Sequence, residues 1–287
     1  MTDRAPEEIP RPEWQPFTPR GVAGAASAPR WQMWLALSLM TALWSLILVG
    51  FLITCWEPVI RTAISRLPPN GYLRGGVYYP ASDATDVILA ENPWLAISIR
   101  WSPEAVTDQA SDVRATLQID RIRLCSILGC TAVFYHSLGD RSLGRADTEA
   151  WWNAWRPFFL TAIVIANVAF MFISWWLLTL AYSAVVRFQA FYRDRQTDFA
   201  ASCRVAQASL IPGALWLTAA LFFYQRGWLD LFGLLVVFIA HVPVAWLYFS
   251  LAIQHLPLHA AAADGNPFQN ADAPQPEKKR NPFGGGT

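Results

Sequence analysis

The sequence predicts an α-helical membrane protein with four transmembrane helices and a small β-rich extracytoplasmic domain between helices 1 and 2. Three observations predict it. Four apolar runs, 31–55, 157–186, 205–225 and 228–253, each reach the roughly 20 helical residues that cross a bilayer core. The chain is 54% hydrophobic and only 15% charged, which fits lipid better than water. A polar segment, 57–156, separates the first run from the second and is long enough to bury one modest core. The division that follows is a disordered cytoplasmic tail (1–30), helix 1 (31–56), the extracytoplasmic domain (57–150), helix 2 (151–186), a cytoplasmic connector helix (187–204), helices 3 and 4 (205–253) and a second disordered tail (254–287).

The first run follows thirty polar residues and exceeds the apolar core of a signal peptide, so it reads as a retained membrane helix. Leu52-Ile53-Thr54-Cys55 partly resembles a lipoprotein cleavage box, but threonine fits poorly before the cysteine and the run lies far from the start. Trp31, Trp34, Trp56, Trp151, Trp152, Trp155 and Trp228 sit where apolar runs end, as an aromatic belt at headgroup level requires. Trp44 and Trp216 fall mid-span and suit helix packing.

Arginine placement sets the orientation. Arg187, Arg193, Arg195 and Arg204 crowd the short connector, and Arg11, Arg20 and Arg30 lie in the first tail. Positive residues stay inside, which places both termini and the connector in the cytoplasm. Arg61, Arg66, Arg74, Arg141, Arg145 and Arg156 argue the other way from within 57–156, but long segments escape the rule. A net charge of +1 gives nothing for nucleic acid to bind. The only lysines are Lys278 and Lys279, and this arginine- and alanine-rich usage suggests a GC-rich genome and a bacterial inner membrane.

Within the polar segment, Leu95, Ile97, Ile99 and Trp101 alternate with Ala96, Ser98 and Arg100. Val113, Ala115, Leu117 and Ile119 do the same, and a two-residue period marks a half-buried strand. The register slips at Asp120-Arg121, where a bulge would restore it for Ile122 and Leu124. Residues 76–79 and 86–89 are weaker strand candidates, punctuated by Pro68-Pro69-Asn70-Gly71, Asn92-Pro93 and Ser102-Pro103.

Cys125 and Cys130 flank Ser126-Ile127-Leu128-Gly129. A four-residue hairpin loop would set them opposite each other, within disulfide range, and an oxidising compartment would keep the bond. Free thiols are the bland alternative. Zinc needs four ligands, and only His136 is near; a redox pair lacks the CxxC spacing. No metal or cofactor is indicated.

Asp147-Thr148-Glu149 is placed to open the second spanning helix, with Asp147 as the cap. In the connector, Phe188, Phe191, Tyr192 and Phe199 recur at helical spacing. The stripe either lies in the interface, with Arg187, Arg193, Arg195 and Arg204 toward anionic headgroups, or continues the second helix.

Phe191-Tyr192-Arg193, Arg204-Val205-Ala206 and Ile211-Pro212 give 157–253 a resemblance to bacterial relatives of the Yip membrane family. The resemblance implies a Yip-like helical block with a role in membrane organisation and supplies no catalytic residues. Yip blocks commonly carry five helices, whereas three follow the polar segment here.

Few spanning residues could do chemistry. His241 precedes Pro243 mid-helix, and Asn167 lies mid-span in helix 2. They form a candidate intramembrane polar site, or serve as hydrogen bonds between helices. A lone intramembrane histidine does not suit haem. No P-loop, HExxH or GxSxG occurs. Asn266-Pro267-Phe268 and Asn281-Pro282-Phe283 look like EH-domain ligands, or are simple turns.

These features favour a non-catalytic scaffold or accessory subunit that meets the bilayer and a membrane or periplasmic protein partner, and that could self-associate. The alternatives are a transporter subunit using His241 and Asn167 in an oligomer, and an envelope enzyme using Asp83, Asp86, Glu91 and Glu104.

Overall fold

The computed structural model describes residues 13–79, 86–101, 111–137 and 139–258. The motifs at 266–268 and 281–283, and the acidic residues Asp83 and Glu104, lie outside them. Four helical stretches are long and apolar enough to cross a membrane: Arg30–Ser65, Arg145–Tyr192, Phe199–Gln225 and Leu231–His255. The described residues divide into two compact units, one within 29–178 and 210–245, the other of 13–28, 179–209 and 246–258.

In the larger unit, helix α2 (Arg30–Phe51) starts after Pro29, whose extended backbone ends the preceding turn. It passes without a break through a wide turn of π-helix, Leu52–Trp56, into α3 (Glu57–Ser65). Pro58 contributes no amide N–H to this stretch, so a carbonyl of the turn loses its helical donor. The first apolar helix thus extends past its expected end and enters the polar segment.

There α3 packs on a five-stranded sheet. Its strands are β3 (Val87–Glu91), β4 (Leu95–Ile99), β5 (Val113–Leu117), β6 (Arg121–Ser126) and β7 (Gly129–Phe134), in that spatial order. The β4–β5 pair is parallel and the others are antiparallel. Leu95 and Ile99 bury against Val59 and Ala63 of α3, so the predicted apolar face of β4 is the core face. The opposite face is also covered: Ser98 is buried and its hydroxyl meets that of Thr116 at 3.3 Å. A second sheet, in the order β2-β1-β8, comprises β1 (Tyr72–Arg74), β2 (Val77–Tyr79) and β8 (Arg141–Ser142). It encloses Leu73, Tyr78 and Tyr135.

Two expectations change here. Residues 113–124 are not one bulged strand. The slip at Asp120 is a tight turn, closed by the Gln118 amide donating to the Arg121 carbonyl at 2.8 Å, and Leu117 pairs with Ile122 across it. Asp147 is not the cap of α4 (Arg145–Tyr192); it lies in the first turn, where it accepts from the Ser142 hydroxyl, while the Thr148 amide reaches back to Gly144.

The other unit contains the described ends of both tails. Helix α1 (Pro19–Gly24) is capped by the Thr18 hydroxyl, which accepts from the Gly21 amide at 3.1 Å. Val22, Ala23 and Ala25 are buried, so this part of the first tail is ordered core. Its glycine and alanines permit close approach: a Cβ on Gly21 would fall 2.1 Å from Cγ of Gln15. Residues 254–258 are likewise ordered. Leu256 is buried, and Leu258 bridges to Arg195.

The connector is not one helix. Helix α4 continues to Tyr192, as the continuation reading requires, and then stops at Asp194, whose φ of 52° lies in the left-handed region. Helix α5 (Phe199–Gln225) starts after Asp198, whose carboxylate accepts from the Ala201 amide. Helix α6 (Leu231–Ala252) completes the set.

Candidate functional site

The residues singled out by sequence occupy three separate places. Cys125 and Cys130 face each other across β6–β7 with Cα atoms 4.1 Å apart, at disulfide distance. The loop is shorter than expected, because Ser126 and Gly129 also pair and leave only Ile127 and Leu128 at the tip. Gly129 takes a φ of 122°, which favours glycine and lets so tight a turn close. Ile127 is 54% exposed and Leu128 83%.

His241 and Asn167 do not meet as one polar site. The Asn167 carbonyl accepts from Trp44 Nε1 at 3.0 Å, and its amide donates to Ser45 Oγ at 2.9 Å, so it fastens α4 to α2. The His241 ring bonds the Phe238 carbonyl of its own helix. Its backbone carbonyl lies against Gly213 of α5, where a Cβ would come within 2.7 Å.

Three of the four connector arginines hold backbone. Arg193 donates to the Ser250 carbonyl at 2.8 Å, Arg195 to that of Leu256 at 2.6 Å, and Arg204 Nε to that of Ala26 at 3.0 Å. These bonds tie the α4–α5 turn to the end of α6 and to the segment after α1. Arg187 is exposed.

A site not anticipated from sequence lies where the helices of the larger unit meet its sheet. Phe51, Cys55, Leu221 and Tyr224 form a buried cluster, joined by Trp56 and Trp94. Asn92 caps the β3–β4 turn by accepting from the amides of Trp94 and Leu95, and its own amide donates to the Cys55 carbonyl at 2.6 Å. Trp94 Nε1 donates to the Tyr224 carbonyl at 3.1 Å, and the Tyr224 hydroxyl to Asp112 at 2.7 Å. The sheet is therefore bolted to the ends of α2 and α5 by directed bonds as well as by apolar contact.

Beside this junction, Glu57 is 8% exposed and accepts from two arginines, Arg61 Nε at 2.7 Å and Arg156 Nη2 at 2.6 Å. Burying a carboxylate so far requires such partners. Two guanidiniums against one carboxylate leave a surplus positive charge. The pair borders a cavity of about 100 Å³ lined by Leu52, Trp56, Ile60, Trp152, Phe159 and Ile163, with Leu160 between the last two. The signal in the sequence was slight: an acid directly after the first apolar run, and an arginine directly before the second.

Burial pushes the phenols of Tyr78 and Tyr135 up from their ordinary value, so both stay protonated at neutral pH. The Arg121 guanidinium bonds Asp120 and holds its carboxyl below the usual carboxylate range. Among the described residues, no group of three or more His, Cys, Asp or Glu side chains could hold a metal ion.

Comparison with protein families, with curated proteins and with solved structures finds no match to this chain. The likeness to Yip-type proteins rests on the motifs quoted for it.

Proposed function

We propose that this chain is an integral membrane protein with both termini in the cytoplasm, and that it acts as a non-catalytic scaffold or accessory subunit that binds a protein partner through its β domain. The observation that carries the partner reading is the β6–β7 hairpin. Leu128 and Ile127 stand out at its tip, 83% and 54% exposed, while Val133 and Phe134 lie at the far end of the edge strand β7 on opposite faces. Two exposed apolar residues at the tip of one rigid projection mark an interaction surface, and the cysteine pair holds that projection in shape before a partner arrives.

The apolar faces of the helices support the membrane reading. The most apolar windows of α4 and α6 are only 6% buried within the protein. Ile165, Phe170 and Ile239 are each more than 60% exposed, an arrangement that lipid tolerates and water does not. Trp31, Trp34, Trp155 and Trp228 are at least half exposed near helix ends, where indole rings suit the headgroup level. The short α4–α5 turn with its arginines supports the cytoplasmic assignment.

A photo-crosslinking side chain placed at Leu128 in native membranes tests the partner reading. It should give one discrete protein adduct, and a probe at Glu91 on the opposite sheet edge should not. Equal labelling at both positions, or adducts with lipid alone, would contradict it.

A further inference from the structure

We propose that the cavity beside Glu57 and Arg156 is a phospholipid site that takes the phosphate–glycerol end of one lipid and the first part of its acyl chain. The inference rests on the membrane-spanning reading and goes beyond the partner-binding one. Three lining residues carry a buried N–H that finds no acceptor among the described residues: Trp56 Nε1, Trp152 Nε1 and Arg156 Nε. Buried donors are rarely left unpaired; the indoles of Trp14 and Trp101 are further examples among the described residues, and what sets these three apart is that their residues line one cavity, where a ligand rich in acceptor oxygens would meet them together. The surplus positive charge of the Arg61–Glu57–Arg156 group selects an anionic acceptor over a neutral one.

The lining is also graded. Glu57, Trp152 and Arg156 supply its polar part. Phe159, Leu160 and Ile163 continue along α4 for about 6 Å at 1.5 Å per residue, with Leu52 facing them from the α2 side. That polarity profile matches a headgroup passing into a chain. A cavity of about 100 Å³ has room for several waters. A phosphate or ester group fits that space, and the rest of the lipid would run along the exposed face of α4.

The test is native mass spectrometry of the full-length protein exchanged through detergent, incubated with phosphatidylglycerol, phosphatidylcholine or inorganic phosphate. One retained phosphatidylglycerol is expected, with less phosphatidylcholine. Replacing Trp152 or Trp56 by β-(3-benzothienyl)alanine keeps the bicyclic ring and loses only the donor, and each should lower retention by about fivefold, the worth of one hydrogen bond. Arg156→Gln should abolish the preference for the anionic lipid. Unchanged retention in all three variants, each still folded by far-UV circular dichroism at the assay temperature, overturns the inference; so does a cavity that takes inorganic phosphate and no lipid. Alkaline extraction separates the two failures. Protein that leaves the membrane sinks the spanning reading and this inference together, whereas protein that stays but retains no lipid sinks this one alone.

Discussion

The side-chain amide of Asn92 donates to the backbone carbonyl of Cys55 across 37 positions of sequence, at 2.6 Å. The carbonyl belongs to the wide turn between α2 and α3, and the asparagine to the turn between β3 and β4. One side chain thus caps a strand turn and satisfies an irregular helix. Replacing Asn92 with Ala removes both roles and leaves a partly buried carbonyl short of a donor. The expected cost is about 1–3 kcal/mol. Hydrogen exchange should show faster amide exchange at Trp94 and Leu95 and around the wide turn at Cys55, with α4 and α6 unaffected. Asn92→Asp should recover the strand cap but not the bond to Cys55.

Glu57 and Arg156 are predicted to be coupled. Glu57→Gln removes the charge between two arginines, and Arg156→Gln removes one of its two partners. Each single change should destabilise by about 3 kcal/mol, toward the lower end for a buried pair because Arg156 keeps some contact with solvent. The double variant should cost clearly less than the sum, since neither charge is then left alone. Strict additivity in thermal unfolding would mean the pair contributes nothing as a pair.

The helices and the strand β4 were legible because each carries a strong periodic or compositional signal over many residues. Of the short strands, β2 falls on the weaker candidate at 76–79, whereas β1 and β8 gave no signal, since two or three residues cannot show a period. The first tail misled for a physical reason. Gly21, Ala23 and Ala25 belong to a stretch that reads as disordered tail, yet small side chains are what let a backbone pack closely, and Arg204 then reaches the Ala26 carbonyl. The junction was hidden because its partners are far apart in sequence: Trp94 and Tyr224, Asp112 and Tyr224, Glu57 and Arg156. No local pattern announces such pairs. The hairpin of Cys125 and Cys130 was the exception, because its partners are only five residues apart.

Asn167 should matter more to stability than His241. Asn167 makes two bonds to α2, whereas the His241 ring bonds only its own helix. At about 0.6 kcal/mol for each intramembrane hydrogen bond, Asn167→Leu should cost roughly 1 kcal/mol and loosen α4 against α2. His241→Asn should leave thermal stability near wild type. Loss of a transport activity in that variant, with normal folding, would revive the transporter alternative.

Topology is open to a direct test. Reporter fusions at Gly139 should report the outside, and fusions at Thr197 and Gly265 the cytoplasm. The arginine cluster of the α4–α5 turn motivates the assignment, and its helical context adds to it: Thr197 lies in a short turn between two long apolar helices. A cytoplasmic signal at Gly139 would turn the β domain inward and remove the oxidising surroundings invoked for its cysteines.

Those cysteines supply the last test. If the domain is outside, Cys125 and Cys130 are oxidised to each other, because no reducing thiol pool acts there. Cys55 is buried and Cys203 partly so, and both are free. Denatured but unreduced protein should therefore take up two alkyl groups, and reduced protein four. Replacing both paired cysteines with Ser should destabilise the hairpin by about 2 kcal/mol, the modest value expected for so short a loop. The consequence should be local. Exchange of the β6–β7 amides should accelerate, while α4 and α5 keep their protection. Crosslinking from Leu128 should weaken in step, since its projecting tip is what the pair holds in place. If alkylation of protein taken straight from the membrane modifies all four cysteines, the bond does not exist in the cell. The hairpin would then have to keep its shape by strand pairing alone.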